Sequence, residues 1–180
     1  MIYLIGGAPR TGKSTLTQRI SAKLGIGWIS TDLLLEQLRI SHVAGVKNQW
    51  DGSPEAITSA AQWFYPYLER FIWGVTALAE SYAIEGVDFL PAQVAQLAMH
   101  YPIRAVFLGR SQMTLDQFRQ FPGRSPGYAN LPEAFQRQIV RDVPLWSDFI
   151  RQEAGQSGYP FVDMIEDFPA RLAEAETRLL

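Results

Sequence analysis

Eight residues near the amino end constrain the fold more than anything else in the chain: Gly7-Ala8-Pro9-Arg10-Thr11-Gly12-Lys13-Ser14. They fit the pattern G-x-x-x-x-G-K-[ST] at every fixed position. The short apolar run Ile2-Tyr3-Leu4-Ile5 precedes them and reads as a buried strand. Behind them, Leu16, Ile20 and Leu24 recur at helical spacing, and Gly25 stops the helix as a C′ glycine. A strand, a glycine turn and a helix in that order make a phosphate cradle. The glycines let successive backbone N–H groups point inward, and the helix adds its positive end. Lys13 then reaches β- and γ-phosphates. The Ser14 hydroxyl is the candidate Mg²⁺ ligand, with Thr15 beside it. Arg10 is a candidate for a phosphate or base contact. The motif implies nucleotide binding over Gly7 to Thr15 without fixing what the nucleotide is for, since many activities share it.

The rest of the sequence keeps alternating between strand and helix. Trp28-Ile29-Ser30 reads as a second strand, with Thr31-Asp32 opening a helix that continues through Leu34, Leu35 and Leu38. Ser53-Pro54-Glu55 is a helix start, with Ser at N-cap, Pro at N1 and an acid in the first turn. The helical stretch towards Ser81 is expected to bend at Pro66, and its many aromatics to be mostly packing. Tyr82 to Glu85, Ile103 to Leu108 and Pro160 to Asp163 complete the strands. Phe121 to Pro132 is rich in Pro and Gly and reads as a loop. The helix that follows is expected to break before Pro144, and Ile165 to Leu179 forms a final helical stripe. Such alternation means an α/β fold with a mostly parallel sheet. At 180 residues, with no repeat and no linker, one domain over 1–180 is expected.

Composition removes several classes of function. There is no cysteine, so thiolate nucleophiles, disulfides and cysteine zinc sites are excluded. The two histidines, His42 and His100, are too few and too separated for a His-rich metal site. A net charge of −2 gives no overall footprint for a nucleic-acid partner. The start of the chain carries no basic leader and no membrane-length apolar run, so a cytoplasmic protein without a membrane partner is expected.

Three further groups carry candidate chemistry. Asp32 follows the second strand, which in a doubly wound sheet puts it at the carboxyl edge where ligands bind. A carboxylate there can take or orient the proton of an attacking hydroxyl, and it can equally serve as a helix cap. Glu85 closes an apolar strand and is the better candidate for holding Mg²⁺ through water; Asp88 is the weaker. Arg119, Arg124, Arg137 and Arg141 crowd the region after the fourth strand. Guanidinium groups there could close over a transferring phosphoryl group, with Arg124 as the catalytic candidate and 110–145 as a lid.

This order of parts resembles the P-loop small-molecule and nucleoside-monophosphate kinases, a group that includes adenylate, shikimate and gluconate kinases and chloramphenicol phosphotransferase. The resemblance covers nearly the whole chain as an order of elements, with Gly7 to Ser14 as its specific motif. It implies five parallel strands in the order 2-3-1-4-5, ATP with Mg²⁺, and an Asp acting as base at the place of Ser30-Thr31-Asp32. It also implies a lid between strands four and five and an acceptor-binding insertion over about 43–81. The stretch Ile84-Glu85-Gly86-Val87-Asp88-Phe89-Leu90-Pro91 looks like a segment of 2-phosphoglycerate kinase-like proteins, departing from it at Asp88, where a histidine is expected.

The expected activity is therefore transfer of the γ-phosphoryl group of ATP to a hydroxyl of a small molecule. Two alternatives stay open. One is a nucleotide or 2-phosphoglycerate kinase, against which only Lys47 and Arg70 in the insertion offer positive charge. The other is a nucleotide-binding regulator or degenerate kinase acting through a protein partner. Neither the acceptor, the choice of ATP over GTP nor the oligomeric state is legible.

Overall fold

The computed structural model describes residues 1–45, 51–120 and 130–180. Five strands, β1 Ile2–Gly7, β2 Gly27–Ser30, β3 Tyr82–Glu85, β4 Ile103–Gly109 and β5 Phe161–Asp163, form one sheet. All neighbours are parallel, in the order β2-β3-β1-β4-β5. The described helices are α1 Lys13–Leu24, α2 Thr31–Ile40, α3 Pro54–Ala77, α4 Pro91–Ala98, α5 Leu115–Gln120, α6 Glu133–Ser157 and α7 Phe168–Leu179.

The side-chain alternation of the strands divides the core into two layers. Ile5, Ala83, Val106 and Leu108 face α1 and α7, meeting Leu16, Ile20, Leu172, Ala175 and Leu179. Ile2, Leu4, Ile84, Ala105 and Phe107 face the opposite way, onto α3, α4 and α6. Both faces of the central strands are thus covered, as a parallel sheet requires. Leu4, Leu16 and Ile84 are wholly buried, and each such side chain contributes about 1.5–3 kcal/mol relative to exposure. α1 and α7 are also tied by charge: the half-exposed Arg19 and Lys23 both pair with the buried carboxylate of Glu176.

One expectation about the helices changes. The break before Pro144 is absent, and α6 runs unbroken through it. Pro144 deprives the helix of one N–H, but Ile139 and Val143 before it and Trp146 and Ile150 after it are anchored in the same core. Tertiary packing on both sides outweighs the missing bond. α3 fills most of 43–81, with Pro66 inside it, and Ile57, Ala61, Phe64, Leu68 and Ile72 are buried. The expected insertion is thus largely helical, in keeping with the helix start at Ser53-Pro54-Glu55.

Candidate active site

The site lies where β1, β2 and β3 end side by side. Register brings Ser30 opposite Glu85 and Ile5 opposite Glu85, so the residues following these strands emerge at one edge.

The glycine loop is shaped by contacts to its neighbours. Gly7 has φ +121°, and a Cβ there would lie 1.9 Å from the Leu108 carbonyl oxygen, so glycine is required. The Ala8 N–H donates to that same carbonyl oxygen at 2.9 Å, fastening the loop to β4. Arg10 is left-handed, with φ 65°, and its guanidinium lies 5.0 Å from the centre of the Phe118 ring on α5. Pro9 and Arg10 are partly exposed, and Ala8 and Thr11 are buried. Gly12, at φ 91°, caps α1 and lies flush against the Phe168 ring.

Lys13 is buried at the head of α1, and its ammonium donates to the Ala8 carbonyl at 2.6 Å, with the Thr11 hydroxyl donating to that oxygen at 2.8 Å. The ammonium is thereby held across the loop. Burial lowers its pKa, while Glu85, Asp32 and Asp88 pull the other way. Ser14 and Thr15 are partly exposed on the first turn. Ser14 Oγ donates to Glu85 Oε1 at 2.9 Å. The pleat explains this meeting: Glu85 shares the strand face of Ala83, which is the face packed by α1. Ser14 and Glu85 present oxygen donors of the hard kind that suits Mg²⁺. Among the described residues no three His, Asp or Glu side chains converge to hold a metal alone.

Asp32 sits in the first turn of α2, its backbone N–H donating to the Ser30 side chain at 3.4 Å. Its side chain is reached by solvent. Burial around the carboxyl nonetheless raises its pKa, with Glu85 adding to the rise and Lys13 opposing it. A carboxylate so placed is more basic than usual and is near the loop's cation.

Sequence reasoning undervalued two residues. Thr31 is wholly buried, and its hydroxyl donates to Asp88 Oδ2 at 2.6 Å. Burial pushes the Asp88 carboxyl up to about 6, with the Thr31 bond restraining the rise and Asp32 adding to it. The available signal was Gly86: a short acid-glycine turn after β3 leaves room for a neighbour.

The described arginines of the expected lid are held by partners of their own. Arg119 donates to Gln136 Oε1 at 3.0 Å and lies 3.4 Å from Glu133; Arg137 pairs with Glu133 at 2.6 Å. Arg141 pairs with the buried Asp142 at 2.8 Å and borders a surface cleft of about 530 Å³ between 51–54 and α6. Of these, Arg119 lies on α5, whose Phe118 meets Arg10 of the loop. Arg124 and Lys47 lie outside the described residues. In the expected insertion, Arg70 stacks over Trp73, 3.9 Å from the ring centre. His42 is exposed on the turn after α2.

The fold is shared with solved structures of several kinases. A sugar kinase from Janibacter superposes with a TM-score of 0.55 at 14% identity, over 99% of this chain and 93% of that one. A gluconokinase from Sinorhizobium meliloti (TM-score 0.51, 13% identity, 99% and 90%) and a shikimate kinase from Aquifex aeolicus (0.51, 15%, 99% and 95%) have the same fold. No protein-family model and no curated protein matches the sequence.

Proposed function

We propose that the protein is an ATP- and Mg²⁺-dependent phosphotransferase that moves the γ-phosphoryl group to a hydroxyl of a small molecule. The observation that carries this is the meeting of the loop lysine, the Ser14–Glu85 pair and Asp32 at one edge of the sheet. The gluconokinase, sugar kinase and shikimate kinase that share the fold support it by analogy of architecture.

In this scheme the backbone N–H groups of the loop and Lys13 bind the triphosphate. Ser14 and Glu85 would hold Mg²⁺, which when bound would supply neutralisation of the phosphates' negative charge. Asp32 accepts the proton of the acceptor hydroxyl as its oxygen bonds to γ-phosphorus. The bond from that phosphorus to the bridging oxygen breaks, and ADP leaves. The raised pKa of Asp32 suits a proton acceptor. Positioning and electrostatics supply most of the rate, with no covalent protein intermediate. The partner is a small-molecule acceptor rather than nucleic acid or membrane. Among the described residues no helix is long and apolar enough to cross a bilayer. We place the reaction in the cytoplasm, where ATP is plentiful.

The test is transfer from γ-labelled ATP into a pooled mixture of small metabolites, with wild type beside Asp32→Asn. A labelled alcohol formed by wild type, and only at a low residual rate by Asp32→Asn, is expected. ATP binding without any labelled product would instead favour a nucleotide-binding regulator.

A further inference from the structure

Asp32 is an exposed residue on a helix at the sheet's edge, beyond the end of β2. Something must fix its direction if it is to meet an acceptor. The residue before it provides the anchor. Thr31 begins α2, is wholly buried, and donates its hydroxyl hydrogen to Asp88 Oδ2 at 2.6 Å. Asp88 lies in the turn between β3 and α4, on the same short segment that carries Glu85. The two segments also touch directly: a Cβ on Gly86 would fall 2.0 Å from Thr31 Oγ1, so the turn's backbone lies flush against the threonine. Gly86 is fastened in turn to β1, its N–H donating to the Ile5 carbonyl at 3.2 Å. A chain of contacts thus runs from the central strand through Gly86 and Asp88 to Thr31 and the first turn of α2.

We infer that Asp88 is a positioning residue for the transfer step, acting through Thr31 to hold the first turn of α2 so that Asp32 faces the phosphate loop. This rests on the phosphotransferase reading and deepens it. Its role is to set where the proton acceptor stands, through Thr31. Its carboxylate suits this task because a hydrogen bond to an ionised acceptor is short and directional. A misplacement of about 1 Å at a reacting group can cost a hundredfold in rate.

The experiment compares steady-state transfer by Thr31→Val, Thr31→Ser, Asp88→Ala and Asp88→Asn in the full chain, using the acceptor found with wild type. Thr31→Val and Asp88→Ala should lower kcat about 10- to 100-fold while KM for ATP stays within about twofold of wild type. Thr31→Ser restores the donor and should restore most of kcat. Asp88→Asn keeps a carbonyl acceptor for the hydroxyl and should do likewise. On an Asp32→Asn background, Thr31→Val should cause no further loss, because its effect runs through Asp32. Hydrogen exchange should accelerate in the first turn of α2 and stay unchanged in the phosphate loop. An active wild type whose Thr31→Val variant keeps full kcat overturns the positioning role alone. So does a loss that persists undiminished on the Asp32→Asn background. A wild type that binds ATP and phosphorylates nothing overturns the phosphotransferase reading itself.

Discussion

Ser14 Oγ and Glu85 Oε1 are 2.9 Å apart, so the first turn of α1 is hydrogen-bonded to the carboxyl end of β3. The bond holds ready two oxygens of the kind a divalent cation prefers, one neutral and one charged. Glu85 is buried, with about 5% of its surface exposed, and its side chain has few places to turn.

Ser14→Ala should remove the hydroxyl and leave Glu85 without its donor. The expected result is a 10- to 100-fold loss of Mg²⁺-dependent turnover, the usual scale for disturbing a metal's surroundings (~10–100-fold). A titration of activity against Mg²⁺ checks it, and the half-saturating concentration should rise. An unchanged Mg²⁺ dependence would remove Ser14 from the metal site.

Lys13→Met should separate stability from function. Burial disfavours the ammonium of Lys13, and methionine offers similar volume without charge. The variant without nucleotide should melt at or above the wild-type temperature. The gain expected from MgATP in wild type, about 2.7 kcal/mol at a hundred times Kd, should vanish. Calorimetry with and without MgATP reads both effects.

Gly12→Ala should damage the loop in two ways. Its φ of 91° disfavours any side chain, and the new Cβ would lie 2.7 Å from the Phe168 ring. A loss of about 1–3 kcal/mol is expected from the backbone strain, together with weaker nucleotide binding. Adding Phe168→Leu should relieve the collision but not the φ, so chemical denaturation of the double variant should show only partial recovery.

Asp88 should make stability depend on mildly acidic pH. Its folded pKa is about 6, against roughly 3.9 for a free Asp. Between those values the folded state holds more protons than the unfolded one, so stability falls as pH rises through the window. The contribution is fully present below the lower value and gone above the upper one, with a span of about 1–3 kcal/mol. Urea denaturation of wild type and Asp88→Asn at pH 4, 5, 6 and 7 checks this. The variant should gain on wild type as pH rises, and a pH-independent difference would remove Asp88 as the cause.

The parts legible in the sequence were those whose signal is local. Gly7 to Ser14 announces itself because one contiguous turn needs all its residues, and the strands stand out because each is a short apolar run between breakers. The strand order came from resemblance and is the one observed. Pro144 misled because its local effect is real, while the core contacts that override it come from distant elements. The bond between Thr31 and Asp88 left only Gly86 as a local trace, since neither residue has a pattern that names the other. The arginines show a different limit: Glu133 lies one turn from Arg137 and pairs with it, a local contact that the sequence also carries.

Ser14 and Glu85 are 71 residues apart in the chain, and Thr31 and Asp88 are 57 apart. Each helix can form on its own local contacts, whereas these pairs exist only once three parallel strands have found their register. Long-range parallel pairing is the slow part of folding. Refolding from denaturant should therefore restore helical circular dichroism first and the ability to hold nucleotide later. A nascent or partly unfolded chain would be rich in helix but unable to bind ATP, which leaves nucleotide capture as a report on completed folding.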